Sequence, residues 1–510
     1  MLSIRDTGPA APCPEPFNMA AHVLAPAAQH PERIALRILR PDGVERWSYG
    51  QLEAAVRGTG AGLRAHGLAP GDRVLLRLGN TVDFPIAYLG AIAAGLVPVP
   101  TAAALTAGEA GRLADTIAPA AIIAGPGIAL PAPAPCPVID VAALRAMRAH
   151  APCDWQMGPA DRLAYIIFTS GSSGTPRAVM HAHRAVWARR MMWRDWYGFA
   201  QGDRVMHAGA FNWTYTLGTG LMDPWAAGLS ALIPGEGVTP AQLPLLMRRF
   251  DVTIFAAAPG VYRQILKSPE GLDLPRLRHG LSAGEKLPDT TRAAWEAATG
   301  RPVLEALGMS ECSTFISESP EHPAPPGRAG YPQEGRRVAV LDAQGAPVPP
   351  GTEGTLAVAA EDPGLFLGYL GAPKATAAKF EGGWFLTGDA VEMDADGAVR
   401  YLGRTDDMMN AGGFRVSPLE VEGTLNSHPA IAESAACEIA VKRDATIIAA
   451  FYVADEDPGE AALAQFAAEH LARYKQPRRF IRVAALPRGA NNKLLRRALR
   501  DEWEARHDPS

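Results

Sequence analysis

The chain has 510 residues, 48% of them hydrophobic and 20% charged, and a formal net charge of −4. That length exceeds a single hydrophobic core, so roughly two to four globular domains are expected. The near-neutral balance argues against a dedicated nucleic-acid binder.

Five scattered cysteines, Cys13, Cys136, Cys153, Cys312 and Cys437, include no Cys-x-x-Cys pair. This pattern fits a reduced compartment and offers neither a disulfide framework nor a zinc site. The first residues, Met1-Leu-Ser-Ile-Arg-Asp, lack the apolar stretch of a signal peptide. The most apolar segment, 88–100, is broken by Gly90, Gly95 and Pro98, well short of the ~20 apolar residues a membrane span needs. A cytoplasmic protein with no membrane span is expected.

Taken in chain order, residues 73–78 read as a strand, 83–94 as a helix, 120–124 as a strand and 253–258 as another. Strands separated by helices of this length predict parallel α/β sheets. The Pro/Ala stretch 131–137 reads as a surface loop. After about Gly327 the texture changes. Segments 338–342, 354–358 and 398–402 are short strands bounded by Gly, Pro and Asp, a small antiparallel unit. Beyond residue 407 the chain carries its own signals, a strand at 447–453 and a helix at 461–471, enough for a domain of about 100 residues.

The strongest local signal is Ala164-Tyr-Ile-Ile-Phe-Thr-Ser-Gly-Ser-Ser-Gly-Thr-Pro-Arg-Ala. An apolar strand ends in glycines that let backbone N–H groups turn toward an anion. The hydroxyls of Thr169, Ser170, Ser172, Ser173 and Thr175 add donors, and Arg177 adds charge. The spacing is not Gly-x-x-x-x-Gly-Lys-Ser/Thr. A second signal is lysine scarcity. Lysine occurs at only seven positions among 49 basic residues: 267, 286, 374, 379, 442, 475 and 493. A lysine kept where arginine is the default carries weight, because an ammonium is a compact point charge.

The glycine-rich segment resembles the signature loop of the adenylate-forming superfamily, which includes acyl-CoA synthetases, nonribosomal-peptide adenylation domains and luciferases. The usual pattern is Thr-Ser-Gly-Ser/Thr-Thr-Gly-x-Pro-Lys-Gly. The resemblance runs in family order from about Trp47 to the C-terminus. It implies that Thr169, Ser170, Gly171, Ser172, Ser173, Gly174, Thr175 and Arg177 hold the β- and γ-phosphates of ATP. Leu281-Ser-Ala-Gly284-Glu285-Lys286-Leu is similar to the segment lining the adenine. Leu307-Gly308-Met-Ser310-Glu311 matches the aromatic-Gly-x-Thr-Glu motif, with Leu307 in the aromatic position. Ser310 is then expected at the α-phosphate and Glu311 on Mg²⁺, for which a carboxylate is a suitable hard ligand.

Trp384-Phe-Leu-Thr-Gly-Asp389 matches Trp-x-x-Thr-Gly-Asp, which places Asp389 on the ribose hydroxyls. Arg404 is implied near the ribose and α-phosphate. Asp406 aligns with the hinge about which the C-terminal domain swings between two half-reactions. Gly412, Gly413 and Phe414 resemble the loop that meets the pantetheine arm. Pro487-Arg-Gly-Ala-Asn-Asn-Lys493 resembles Pro-x-Thr-x-x-Gly-Lys, with Lys493 as the catalytic lysine. Gly489 and Asn492 depart from that pattern. The acid pocket is implied around Phe211, Trp213, Tyr215, Gly260 and Met309, an apolar lining with no cation for a second carboxylate. Cys312, beside Glu311, reads as structural.

The expected fold is therefore α/β. A large N-terminal AMP-binding domain, 1–405, combines parallel α/β subdomains with a β-rich part at about 327–405. A smaller α+β domain, 407–510, follows the hinge. The expected activity is an ATP-dependent acid:CoA ligase using ATP, Mg²⁺ and coenzyme A. Its substrate is an apolar monocarboxylic acid, medium-chain fatty or aryl, since the motifs are most similar to medium-chain acyl-CoA synthetases and benzoate-type ligases. Two alternatives remain open: a stand-alone enzyme loading a carrier protein, and a nucleotide-binding protein that has lost catalysis. Dimerisation is common in the family, and nothing in the sequence reports on it.

Overall fold

A computed structural model describes residues 2–169, 176–267, 272–411, 414–442, 445–489 and 494–506. Its largest sheet has nine strands in the order Tyr331–Pro332, Ser313–Ser317, Val303–Met309, His279–Ala283, Ile254–Ala257, Arg204–His207, Ser230–Pro234, Ile34–Leu39, Val44–Ser48. The six consecutive strands from Val303–Met309 to Ile34–Leu39 pair in parallel. Antiparallel strands close both ends. Parallel strands covered on both faces read as continuous apolar runs, and every residue of Ile254–Ala257 is buried.

A second parallel sheet orders Val97–Pro100, Arg73–Arg77, Ala121–Ala124 and Val138–Asp140. Beside it lies the helix Asp83–Ala93, buried along its whole length. A helix apolar on all sides belongs in a core. The segment flagged as most apolar is thus interior packing, and no helix among the described residues is long and apolar enough to cross a membrane.

The strand change after residue 327 is real. Arg337–Leu341, Gly354–Ala359, Phe380–Glu381, Trp384–Met393 and Val399–Arg404 form an antiparallel sheet. Its remaining strand, Ile4–Asp6, comes from the N-terminus and pairs Ile4 with Ala339. Local patterning does not announce that closure, because a three-residue strand has no periodicity to read.

A separate α+β domain follows. Glu433–Lys442 and Ala445–Val453 pair antiparallel, Arg479–Arg482 adds in parallel, and the helices Pro418–Leu425, Glu460–His470 and Arg496–Arg506 complete it. It has its own apolar clusters, around Ile448, Tyr452 and Leu463 on one face and Phe451, Leu486 and Leu499 on the other. Arg263 of the large domain reaches Glu433 of the small one at 3.7 Å.

Candidate active site

The strands Leu163–Thr169 and Arg177–Ala182 form an antiparallel hairpin in which Thr169 pairs with Arg177. The intervening Ser170, Gly171, Ser172, Ser173, Gly174 and Thr175 lie outside the described residues. The short strand Gly368–Tyr369 pairs along the second arm, Tyr369 opposite Val179. This places the Tyr369 ring 5.1 Å from the Arg177 guanidinium. The same tyrosine donates its hydroxyl to Glu311 Oε1 at 2.7 Å. Arg177 and Glu311, 134 positions apart in the chain, are thereby joined through one side chain.

Glu311 follows the strand Val303–Met309 on a tight turn. A Cβ on Gly308 would lie 2.4 Å from the Ser313 carbonyl oxygen, so only glycine fits there. Glu311 is 8% exposed. Behind it, Arg336 pairs with Asp362 and donates to Cys312 Sγ at 3.6 Å. Cys312 is fully buried, and burial pushes its thiol pKa well up, as a structural cysteine requires.

Asp389 and Arg404 face each other across the strands Trp384–Met393 and Val399–Arg404, with Nη1 3.3 Å from Oδ1. Asp389 is also a hydrogen-bond acceptor from Tyr401 at 3.5 Å. Arg404 donates to the Thr387 carbonyl at 3.0 Å and to Asp406 at 3.3 Å, so the expected hinge residue is tied to the expected ribose side. Burial lowers the Arg404 pKa less than Asp389 and Asp406 raise it, and the guanidinium stays charged.

Lys379 is the residue the sequence reading missed. Its ammonium lies 3.4 Å from the Leu386 carbonyl and 3.5 Å from that of Thr387. Burial pushes its pKa down, with Arg404 and Arg177 pressing the same way and Glu311 and Asp389 opposing. All four charges act on Lys379, so the link it makes between the Asp389–Arg404 pair and the Arg177–Glu311 pair is electrostatic. The signal was available in the scarcity of lysine.

Gly284, at φ +97°, follows the strand His279–Ala283, whose neighbour Val303–Met309 carries Leu307 and Gly308. Glu285 is half-buried, and Lys286 sits 4.0 Å from Glu305. Glu305 accepts from Leu287 N at 2.9 Å and from Arg292 at 3.1 Å, which clamps the segment expected at the adenine. A Cβ on Gly284 would meet Trp213 at 2.7 Å.

Trp213 and Tyr215 pack edge to face, 5.0 Å apart, and both touch the His207 ring. Phe211 does not join them; it stacks on Phe84 of the buried helix at 5.5 Å. Gly260 is buried in the first turn of the helix Pro259–Leu266. Met309 and Ser310 line a cavity of about 30 Å³ whose wall also includes His181, Arg189 and Ser313. Of the residues expected around the acid, only Met309 lines this cavity. Arg189 is present, but its charge is spent on Asp223, 2.6 Å away and 1% exposed.

Lys493, Gly412 and Gly413 lie outside the described residues. Phe414 lies on the strand Phe414–Val416, which pairs with Met409–Ala411.

Described residues from the hairpin, the Glu311 turn and the small β sheet converge on one charged site. The chain belongs to the AMP-binding enzyme family: residues 24–370 match the AMP-binding enzyme and 420–493 its C-terminal domain. It is 30% identical to the benzoate–CoA ligase of Thauera aromatica, over 98% of this chain and 99% of that protein. It is 28% identical to the mitochondrial acyl-coenzyme A synthetase ACSM2A of Homo sapiens, over 96% and 92%. ATP-bound MatB from Rhodopseudomonas palustris superposes with a TM-score of 0.88 at 27% identity, over 96% of this chain and 99% of that one. The apo form of the same protein gives 0.78.

Proposed function

We infer that the protein is an ATP-dependent acid:CoA ligase that forms an acyl-adenylate and then an acyl-CoA. The observation that carries this is the meeting of Arg177, Glu311, Lys379, Asp389 and Arg404, three cations and two carboxylates from distant parts of the chain. Cations set beside carboxylates in one site suit a magnesium-bound triphosphate, whose phosphates take the cations and whose metal takes a carboxylate.

Activation joins a carboxylate oxygen to the α-phosphorus of ATP as pyrophosphate leaves. Both partners are negative, so the protein must position them and neutralise charge. Arg177 and the hydroxyl-rich loop take the β- and γ-phosphates, and Ser310 the α-phosphate. Asp389 accepts from the ribose hydroxyls while Arg404 holds it in place. Lys379 adds charge on the phosphate side, and Lys493 is assigned to the bond-forming oxygens. Glu311, a carboxylate steadied by the Tyr369 hydroxyl, would hold Mg²⁺, for which it is a suitable hard ligand. When bound, Mg²⁺ supplies charge neutralisation on the phosphates. The adenylate is then an activated carbonyl, open to thiol attack without a nucleophilic side chain.

Asp406 is proposed as the hinge between the two half-reactions. The higher likeness to the ATP-bound relative supports reading this arrangement as the adenylating one. The acid is assigned to the medium-chain fatty or aryl class, in line with relatives named for both. Scattered free cysteines support a cytoplasmic setting.

Pyrophosphate release across a panel of acids, with and without CoA, tests the reading. Acid-stimulated release that needs a carrier protein would favour carrier loading, and none with any acid would mean lost catalysis. Lys493→Ala is expected to abolish adenylation yet spare thioester formation from supplied acyl-AMP.

A further inference from the structure

A second cavity, a cleft of about 550 Å³, shares no lining residue with the charged site or with the cavity beside Ser310. Small-molecule sites commonly span roughly 300–1,000 Å³, so one organic ligand fits it. Three segments build its walls. The first is the turn Ala25–Ala28, which Pro26 starts, followed by Gln29, His30 and Arg33. The second is Trp193–Tyr197, which Gly198 ends at φ +54°, with Phe199 and Gln201 beyond it. The third is the end of the helix Asp223–Ala226 and the residues after it, to Leu229.

The lining combines rings with a cation. Trp193 and Phe199 are half-buried, with ring centres 6.3 Å apart, and give the cleft an aromatic wall. Gly228, at φ +73°, brings its carbonyl oxygen to 3.0 Å from Arg33 Nη1, which fixes the guanidinium. A guanidinium has five N–H donors, and among the described residues Gly228 is the only hydrogen-bond partner of this one. No carboxylate lines the cleft. Asp203, which accepts from the Ala200 N–H at 2.7 Å, is buried and paired with Arg278. Burial, with Arg190 nearby, pushes the His22 pKa down to about 4, so that ring adds no charge near pH 7. Arg190 itself lies 5.5 Å from the Trp193 ring, a second cation at the aromatic wall. Rings beside cations with no acid among them suit a flat anion.

We propose that this cleft is a second, non-catalytic site for an organic anion whose aromatic ring lies against Trp193 and Phe199 while its negative group takes N–H donors of Arg33. An uncharged ring leaves Arg33 unmet, and a small inorganic anion leaves the rings uncovered. The site goes beyond the ligase reading and does not depend on it.

The test is equilibrium dialysis with three probes: naphthalene-1-sulfonate, naphthalene-1-methanol and methanesulfonate. The aromatic sulfonate is expected to bind the wild-type chain about tenfold or more tighter than either of the others. In Arg33→Gln the ratio of sulfonate to alcohol is expected to collapse toward one. Ala227→Trp, which fills the cleft, is expected to weaken the sulfonate by a similar factor, and Met309→Trp, in the other cavity, to leave it unchanged. The ratio is internal to one protein, so partial unfolding does not mimic its collapse, and Ala227→Trp still locates the site should Arg33→Gln not fold. Three results overturn the proposal: no binding of the sulfonate, binding no tighter than that of the alcohol, or binding lost in Met309→Trp and kept in both cleft variants. Failure of every acid to release pyrophosphate removes the ligase reading and leaves this site standing.

Discussion

Replacing Lys379 with methionine separates a phosphate-binding role from a structural one, because the two predict opposite signs. Lys379 Nζ and Arg404 Nη1 approach the same Thr387 carbonyl oxygen, at 3.5 and 3.0 Å. Two unit charges about 6.5 Å apart or less repel by roughly 2.5 kcal/mol at an effective dielectric of ~20. Water and Asp389 screen part of that. Removing the ammonium is therefore expected to leave the ligand-free protein as stable as before or more stable by up to ~1 kcal/mol. The same change deletes a charge-assisted contact to phosphate worth about 1.5–3 kcal/mol, a loss of roughly 10- to 150-fold in ATP affinity. Calorimetric titration with ATP and with adenosine, beside a urea midpoint, reads both signs. ATP is expected to weaken and adenosine to bind unchanged. Equal weakening of both ligands, or stability falling in step with affinity, would refute the reasoning.

Tyr369→Phe keeps a ring under Arg177 but removes the donor to Glu311, so kcat/KM for adenylation should fall about 10- to 100-fold in a pyrophosphate-exchange assay. Arg336→Met strands Asp362, 5% exposed, without its partner; a loss of roughly 3–5 kcal/mol is expected by urea denaturation. Gly330 has φ +123° and a Cβ there would lie 2.1 Å from the Ser317 carbonyl carbon, so Gly330→Ala should yield little folded protein by solubility and circular dichroism. Burial lowers the pKa of His181 and His279 to about 4 and of His183 and His207 to about 3. The unfolded chain takes up those protons near pH 6.5 and the native state does not. Stability is thus expected to hold above pH ~7 and decline toward pH 4, by up to ~1.4 kcal/mol per pH unit per histidine. His207→Phe should shallow that decline in urea midpoints taken at pH 7.5 and 5.

The sequence revealed what is local. The apolar runs at 73–78, 120–124 and 253–258 are strands, and 461–471 is helical within one residue. The texture change near 327 marked a real antiparallel sheet. Sheet order was not legible, because pairing of Ile34–Leu39 with Ser230–Pro234 depends on packing rather than on either segment's pattern. In the candidate site, motifs with charged residues stood out, whereas Tyr369 and His181 did not. A tyrosine on a two-residue strand and a histidine inside an apolar one acquire meaning only from Glu311 and the Ser310 carbonyl. Phe211 shows the reverse: one position in an aromatic run faces the opposite core from Trp213, and no spacing rule tells them apart.

The pairing of Ile4–Asp6 with Arg337–Leu341 joins segments 335 positions apart, Ile4 opposite Ala339. On the ribosome the first strand must wait, unsatisfied, until Ala339 emerges. Deleting residues 4–6 therefore bares the rim of the sheet that carries Asp389 and Arg404.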